Sequence, residues 1–529
     1  MHPLETVILL LIFVIGLALL ARRLRLVFPI LLTVGGLCIG FIPDLPDLPD
    51  VSLDPSIVLL VFLPPILYSA AWYTNWSDFR RNLEPIVVLA LCLVLATSVG
   101  IALVAQALIP GFTLAMGLLL GAIVSPSDAV AATAVMKTLT VPRRIMTILE
   151  GESLVNDATA LVLFQLALAT IGTGAFSLSD SLLHFLVLAG GGVVVGLAVG
   201  YVSYWLHKHG RLEPALETVL TFVTAYSAYL AAEKLHLSGV LSVVTAGLLI
   251  GHKQSRVHSP VVRMQAVAVW DFVIVLLNGL IFILIGLQLP HVVTAIEGQS
   301  LGQLVRYGLL ISLTAVLIRF MFIFLADTVS NQFRRLIHLS PVFPSRKHTT
   351  LLAYVSMRGI VSLAAALSIP ERLPNGLPCP GRNLILFITF CVILFTLVGQ
   401  GIALPAVIRV LQFGQQPTGY LSQHEIRQRL SKRALAGLHQ LVSREGLTGT
   451  VVDEIMARYQ AQVNVLEQAE SATTLSRYRL GHKLMQAAIQ SQREELLSLR
   501  DTQQIDVEVF HELENELDRD ELQLQTTTT

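Results

Sequence analysis

The stretch GAIVSPSDAVAATAV, residues 121–135, decides what kind of fold this chain can adopt. It lies in an apolar run long enough to cross a bilayer, yet its centre holds Pro126 between two serines, followed by the carboxylate of Asp128. Proline removes a backbone hydrogen bond and clashes with the preceding turn. Small polar neighbours leave the freed carbonyls open to water or to an ion, so a broken membrane helix is expected. SMRGIVSLAAALSIP, residues 356–370, carries a comparable disturbance at Arg358-Gly359. Between the two, GESLVNDATALVLF, residues 151–164, places Glu152, Asn156 and Asp157 in another apolar run.

Composition puts these runs in a membrane. The 529 residues are 54% hydrophobic and 14% charged, with a mean hydropathy of +0.70; a soluble domain is usually about one quarter charged. Net charge is zero, which gives no sign of a nucleic-acid partner. The cysteines, Cys38, Cys92, Cys379 and Cys391, are too scattered for a zinc or redox motif and read as packing residues. Runs of about 17 apolar residues or more, enough to span a ~30 Å hydrocarbon core, occur near 5–21, 26–42, 55–74, 85–109, 113–137, 146–172, 181–207, 215–233, 236–252, 266–288, 302–327, 348–370 and 383–411. That predicts about 13 transmembrane helices. The first run opens with Glu5 and lacks a cleavage motif, so it reads as a retained helix rather than a signal peptide.

Basic residues alternate between loops. Odd-numbered loops carry Arg22 and Arg23, Arg80 and Arg81, Arg143 and Arg144, Lys208, Lys253, Arg263, Arg346 and Lys347. Even-numbered loops carry Lys234, Arg372 and Arg382, and the second holds Asp44, Asp47, Asp50 and Asp54. By the positive-inside rule the N-terminus lies outside and the C-terminus in the cytoplasm. Residues 1–411 read as the membrane domain. Residues 412–529, rich in Glu, Arg, Gln and Leu with apolar positions at helical spacing, read as a cytoplasmic helical tail for assembly or regulation.

Charges within spans are costly, roughly 2.5–3.5 kcal/mol each on insertion scales, and need partners or a wet cavity. Asp128, Glu152 and Asp157 face Arg319 and Arg358. One acid is therefore left over to take a proton or a cation. At about 100° per residue, Glu152 and Asn156 share one side of the sixth span, Ser153 and Asp157 another, and the two carboxylates diverge by about 140°. They are expected to do different work, one holding an arginine and the other facing a cavity. The broken fifth and twelfth spans are each the middle of a triplet, and the triplets enter from opposite sides. This is the pattern of two inverted repeats in a secondary transporter.

ESLVNDATALV, SPSDAVAA, LIRF around Arg319 and MRGIVSL, in this chain, resemble the monovalent cation/proton antiporter family of the sodium/proton exchanger type, in its prokaryotic thirteen-helix branch. The resemblance spans about residues 1–411. It implies a homodimer in which helices 5 and 12 cross at unwound stretches and a core moves against a scaffold in alternating access. It makes Asp157 the carboxylate that binds Na⁺ or H⁺, with Asn156 in support. Asp128, Ser153 and a main-chain carbonyl near Ser127 would complete the oxygen cage. Glu152 and Arg319 would form a structural ion pair, and Arg358 would offset the negative helix ends where helix 12 unwinds. The Asn-Asp pair resembles the electroneutral members. The chain departs from the family where many members have Asp-Pro: Ala129 follows Asp128, and the proline precedes it at Pro126.

The expected activity is antiport of Na⁺, with Li⁺ or K⁺ as alternatives, for H⁺, serving pH and sodium homeostasis at the plasma membrane. No cofactor is expected, and hard oxygen ligands suit alkali cations. A K⁺/H⁺ antiporter is the nearest alternative. A cation channel with a regulatory tail would need a continuous polar stripe in several helices, which is not seen. An aspartyl intramembrane protease would need a Gly-x-Gly-Asp signature, and it is missing.

Overall fold

The computed structural model describes residues 3–24, 28–40, 55–136, 141–173, 178–210, 212–294, 296, 300–336, 345–372, 379–413, 423–467, 472–501 and parts of 513–521. Among these residues the elements are helical, with no strand. The chain divides into two units, Met1–Gln415 and Gln416–Thr529. The expected boundary at 411/412 lies a few residues before this division.

Among the described residues each apolar run expected to span contains helix. In chain order these are α1 (Pro3–Leu24), α2 (Phe28–Gly40), α3 (Pro55–Tyr73), the short α4 (Trp76–Arg81) and α5 (Leu83–Leu108). They continue with α6 (Leu114–Val124), α7 (Ala129–Met136), α8 (Arg143–Thr173), α9 (Leu178–His209), α10 (Pro214–Lys234), α11 (Gly239–Val257) and α12 (Pro260–Thr294). Then come α13 (Leu301–Leu336), α14 (Arg346–Tyr354), α15 (Ile360–Leu367) and α16 (Arg382–Leu411). Among the described residues seven of these are long and apolar enough to cross a membrane by length and composition, α5, α8, α9, α10, α12, α13 and α16. The fold is that of a multi-pass all-α membrane protein.

The fifth and twelfth apolar runs are each split in two. Residues 125–128 separate α6 from α7, and residues 355–359 separate α14 from α15. The pieces have local reasons to end. Pro126 cannot donate to the ladder of the first run, and Gly359 is the residue before α15, with an extended backbone at φ −146°. Elsewhere boundaries follow ordinary capping: Thr113 Oγ1 accepts from Met116 N at 3.3 Å, and Ser238 Oγ from Leu241 N at 3.3 Å.

Two apolar clusters hold the membrane unit. The larger joins α1, α2, α5 to α8 and α12 to α16, with Phe62 and Ile66 of α3. The smaller joins α3, α10, α11 and the start of α12, and also takes Leu154 and Ala158 of α8. At its centre Trp270 stacks on Phe222, centroids 4.1 Å apart, and donates Nε1 to Thr221 at 3.0 Å. With no hydrophobic drive between helices in lipid, close packing depends on small residues. A Cβ at Gly36 would lie 2.4 Å from the Ile283 carbonyl oxygen, so α2 and α12 touch backbone to backbone there.

On the side carrying the basic loops, α4 is tied to α8 by Arg144, whose Nε donates to Asn82 Oδ1 at 2.8 Å. On the same side three helix ends bring together His207 of α9, Glu217 of α10 and His258 between α11 and α12. The two imidazoles lie 4.5 Å apart, and His207 Nδ1 is 3.8 Å from Glu217 Oε2.

In the second unit α17 (Gln423–Glu445) and α18 (Thr450–Glu467) pack together, and α19 (Ala472–Asp501) follows. Gly446, at φ +64°, ends α17 in a left-handed turn, and Leu447 N reaches back to the Val442 carbonyl at 3.2 Å.

Candidate functional site

The two breaks meet. Asp128 N donates to the Met357 carbonyl at 2.7 Å, joining one interrupted run to the other by backbone. The Asp128 carboxylate lies so close to Gly359 that a Cβ there would fall 1.8 Å from its Oδ2. Each half-helix end carries roughly half a unit charge, positive at the N-terminus and negative at the C-terminus. Asp128 thus stands at the positive ends of both α7 and α15.

Arginines serve the negative ends. Arg358 Nε donates to the Val124 carbonyl, the last residue of α6, at 3.0 Å; its Nη1 bonds the carbonyl and hydroxyl of Ser356. Its backbone N–H is held by Thr396 Oγ1 at 3.1 Å, in a wider turn of α16 over Phe395–Gln400. Arg319 of α13 donates Nε and Nη2 to the Leu352 carbonyl near the end of α14, at 3.4 and 3.3 Å. The sequence-level expectation for Arg358 concerned helix 12 alone; the structure carries its reach across to the end of α6.

Arg319 also forms a two-pronged pair with Glu152 of α8, Nη1 to Oε1 at 2.5 Å and Nη2 to Oε2 at 2.9 Å, both side chains buried. Glu152 Oε1 further accepts from Ser127 Oγ at 2.9 Å. Asn156, one turn along α8, donates Nδ2 to the Ser127 hydroxyl at 3.0 Å and to its carbonyl at 3.3 Å. Ser127 and Asn156 thereby lock α8 to the first break. Neither is among the residues that line the cavity described next, whereas Pro126 and Asp128 on either side of Ser127 are.

Asp157 points elsewhere. It is buried and makes no hydrogen bond or ion pair among the described residues. With Ser153 and Asp128 it lines a cavity of about 690 Å³. Ser153 Oγ accepts from Ala129 N at 3.3 Å, which fixes the hydroxyl beside the break. Glu150, Ser153 and Asp157, three and four residues apart, share one face of α8, opposite the direction of Glu152. The cavity continues past Ser69 and Tyr73 of α3, the adjoining Thr74, and Asp271 of α12. Tyr73 and Asp271 are exposed and joined at 3.1 Å. Thus the cavity runs from the deep carboxylate toward the membrane side that carries Arg80, Arg81 and Arg143.

The sequence profile described as "Sodium/hydrogen exchanger, transmembrane" matches residues 8–410, which include both breaks, Glu152, Asp157 and Arg319. The chain belongs to the sodium/hydrogen exchanger family. Among curated relatives it is 33% identical over 517 residues to an uncharacterized Na(+)/H(+) exchanger of Mycobacterium tuberculosis, covering 96% of this chain and 93% of that one. It is 36% identical over 386 residues to the Na(+)/H(+) antiporter ApNhaP of Aphanothece halophytica, 73% of this chain and 69% of that. Among solved structures, the sodium proton antiporter MjNhaP1 of Methanocaldococcus jannaschii at pH 8 shares the fold, with TM-score 0.61 and 21% identity over 78% of this chain and 99% of that one. Family membership carries cation/proton antiport as the class of activity.

In this exchanger several cavity residues are not among the candidates singled out from sequence: Ser69, Tyr73, Thr133, Glu150, Asp271 and Ser362. Asp271 carried a signal, an acid in the apolar run VWDFVIV, and the cost of intramembrane charge flags it as it flags Asp157. Glu150 stands two residues before the recognised motif. Hydroxyls such as Ser69 and Ser362 carry no such signal, because they are common in membrane helices.

Proposed function

We propose that this exchanger moves Na⁺ against H⁺ by alternating access, with Asp157 as the group that binds one or the other. The observation that carries this reading is the division of labour among the buried charges. Glu152 is spoken for by Arg319, Asp128 sits at two positive helix ends beside Gly359, and Asp157 is the carboxylate at the deep end of the cavity without a bonded partner among the described residues. An isolated carboxylate in a membrane is stable when neutralised by a proton or a cation, and costly when bare. Either loaded form can reorient and the empty anion cannot, which couples the two fluxes. Ser153 Oγ and Asp128 supply further oxygens toward the cation, and Asn156 and Ser127 hold α8 in register behind them.

One titrating carboxylate per cycle gives one Na⁺ for one H⁺, an electroneutral exchange. With the basic loops on the cytoplasmic side, the cavity faces inward, the N-terminus is outside and the tail is cytoplasmic. Thirteen crossings, two inverted repeats, pairing as homodimers in the plasma membrane, membrane lipid as a further partner, no cofactor, and service to pH and sodium homeostasis complete the reading. Family resemblance and the loop charges support those parts. K⁺ is the second reading: a relative in Bacillus subtilis, 29% identical over 88% of this chain, is named a sodium, potassium, lithium and rubidium/H(+) antiporter.

The test uses purified protein in proton-loaded vesicles challenged with Na⁺, Li⁺ and K⁺ in turn. Asp157→Asn keeps size and mimics the protonated state, so it is expected to fold normally and to lose exchange with every cation. Proton efflux near the wild-type rate in that variant would remove Asp157 from the mechanism.

A further inference from the structure

Hydroxyls on the membrane helices of this protein mostly return to the carbonyl one turn back. Thr33 bonds Pro29, Thr159 bonds Val155, Ser312 bonds Gly308 and Ser368 bonds Ala364. Ser362 does not. It is 1% exposed, and its Oγ is buried with no hydrogen-bond partner among the described residues. The backbone explains why the usual partner is missing. Ser362 is in the first turn of α15, and the residue four back, Arg358, lies in the break outside the helix, so no aligned helical carbonyl is within reach.

The same position fixes where the hydroxyl sits. Ser362 lines the cavity together with Gly359, Asp128, Ser153 and Asp157. It follows Gly359 by three residues, hence on the same face of α15, and Cβ atoms of a helix tilt toward its N-terminus. That direction leads back toward Gly359 and the Asp128 carboxylate packed against it. A buried hydroxyl without a partner is unfavourable, and a ligand that supplies the missing contact removes the deficit.

We infer that Ser362 Oγ is an oxygen ligand of the transported alkali cation, closing the site from the α15 side while Ser153 and Asp157 close it from α8. The inference rests on the reading of Asp157 as the exchange site, and adds a residue that selects among cations. Ser362 stands on a half-helix start rather than a loop, which fixes its Cα–Cβ bond, and its hydroxyl turns about that bond to meet the ion. A small cation such as Na⁺ or Li⁺ gains more from each added oxygen than the larger K⁺, because its charge lies closer to that oxygen.

The experiment measures proton efflux in vesicles against Na⁺, Li⁺ and K⁺ concentration for wild type, Ser362→Ala and Ser362→Thr. Losing the oxygen is expected to raise the half-saturating Na⁺ and Li⁺ concentrations about tenfold, the effect of one lost ligand. The K⁺ value should move less, and Ser362→Thr, which restores a hydroxyl, should return Na⁺ toward wild type. A purely structural role would shift all three cations together or none. Unchanged half-saturation for all three in Ser362→Ala overturns the inference while leaving the exchange reading intact. Should Ser362→Ala fail to assemble, Ser362→Cys takes its place, since a thiol fills the same space but is a poor ligand for hard cations; unchanged Na⁺ dependence there overturns the inference equally. Wild-type protein that exchanges no cation defeats the exchange reading instead. Thermal protection by Na⁺ then decides Ser362: protection lost in Ser362→Ala supports it, and protection that is absent or unchanged overturns it.

Discussion

A buried pair is held by what it leaves behind when broken. Glu152 and Arg319 are almost wholly enclosed, and removing one partner strands the other, at a cost of roughly 3–5 kcal/mol. Glu152→Ala and Arg319→Ala are each expected to lower the melting temperature in detergent and reduce the folded yield. The charge swap should recover only part of the loss, because Arg319 also donates to the Leu352 carbonyl and a glutamate in its place cannot. Normal melting of Arg319→Ala would show that the pair does not hold the fold. Gly359 gives a second residue-level prediction. A methyl group there collides with the Asp128 carboxylate, so Gly359→Ala should push Asp128 from the break and reduce exchange roughly tenfold or more, the effect of about 1.4 kcal/mol on a barrier. Wild-type turnover in that variant would mean that Asp128 does not need its place at the helix ends.

At the scale of elements, the crossing works because four half-helix ends meet charges of the right sign. Arg358 and Arg319 face the carbonyl ends of α6 and α14, and Asp128 faces the amide ends of α7 and α15. Another junction of helix ends, away from the crossing, answers to pH. His258, between α11 and α12, is buried, and burial first, then the Arg263 charge, pushes its imidazole below the usual histidine range. Arg263 Nη1 donates to its carbonyl at 2.6 Å; His207 of α9 lies against its ring, and Glu217 of α10 approaches His207 from the other side of the cluster at 3.8 Å. The unfolded chain takes a proton near pH ~6.5, where the folded chain still excludes it. Unfolding then binds more protons than folding, so stability falls as pH drops below that value. Thermal melts across pH 7.5 to 5 should decline on the acid side, and His258→Asn should flatten that decline. An unchanged slope in the variant would place the acid sensitivity elsewhere.

For the whole molecule the proposed one-for-one exchange predicts that transport makes no current. An imposed membrane potential should leave the rate of Na⁺-driven proton efflux unchanged in vesicles. A clear dependence on potential would require a second proton carrier, and Asp128, which shares the cavity with Asp157, is the first to test by Asp128→Asn. The rim of the cavity offers a companion measurement. Asp271 and Tyr73 stand exposed at its mouth, and a carboxylate there attracts cations in a salt-dependent way. Asp271→Asn should weaken Na⁺ uptake more at low than at high ionic strength; equal effects at both would assign Asp271 a packing role.

The sequence by itself determined the membrane class, the positions of the apolar helices, the two breaks and the split between carboxylates on α8. Each of these follows from local rules: run length, the missing donor of Pro126, and the 100° step that turns Glu152 away from Asp157. It also carried the family pattern. Only the tertiary structure decided which carbonyls the arginines reach. Arg358 bonds Val124, more than 200 residues away along the chain, and no spacing rule links the two. Tertiary packing likewise put Ser127 and Asn156 behind the cavity wall and brought Tyr73, Asp271 and Ser362 into its lining. A cavity is bounded by several helices at once, so its members share a place in space without sharing any pattern along the chain.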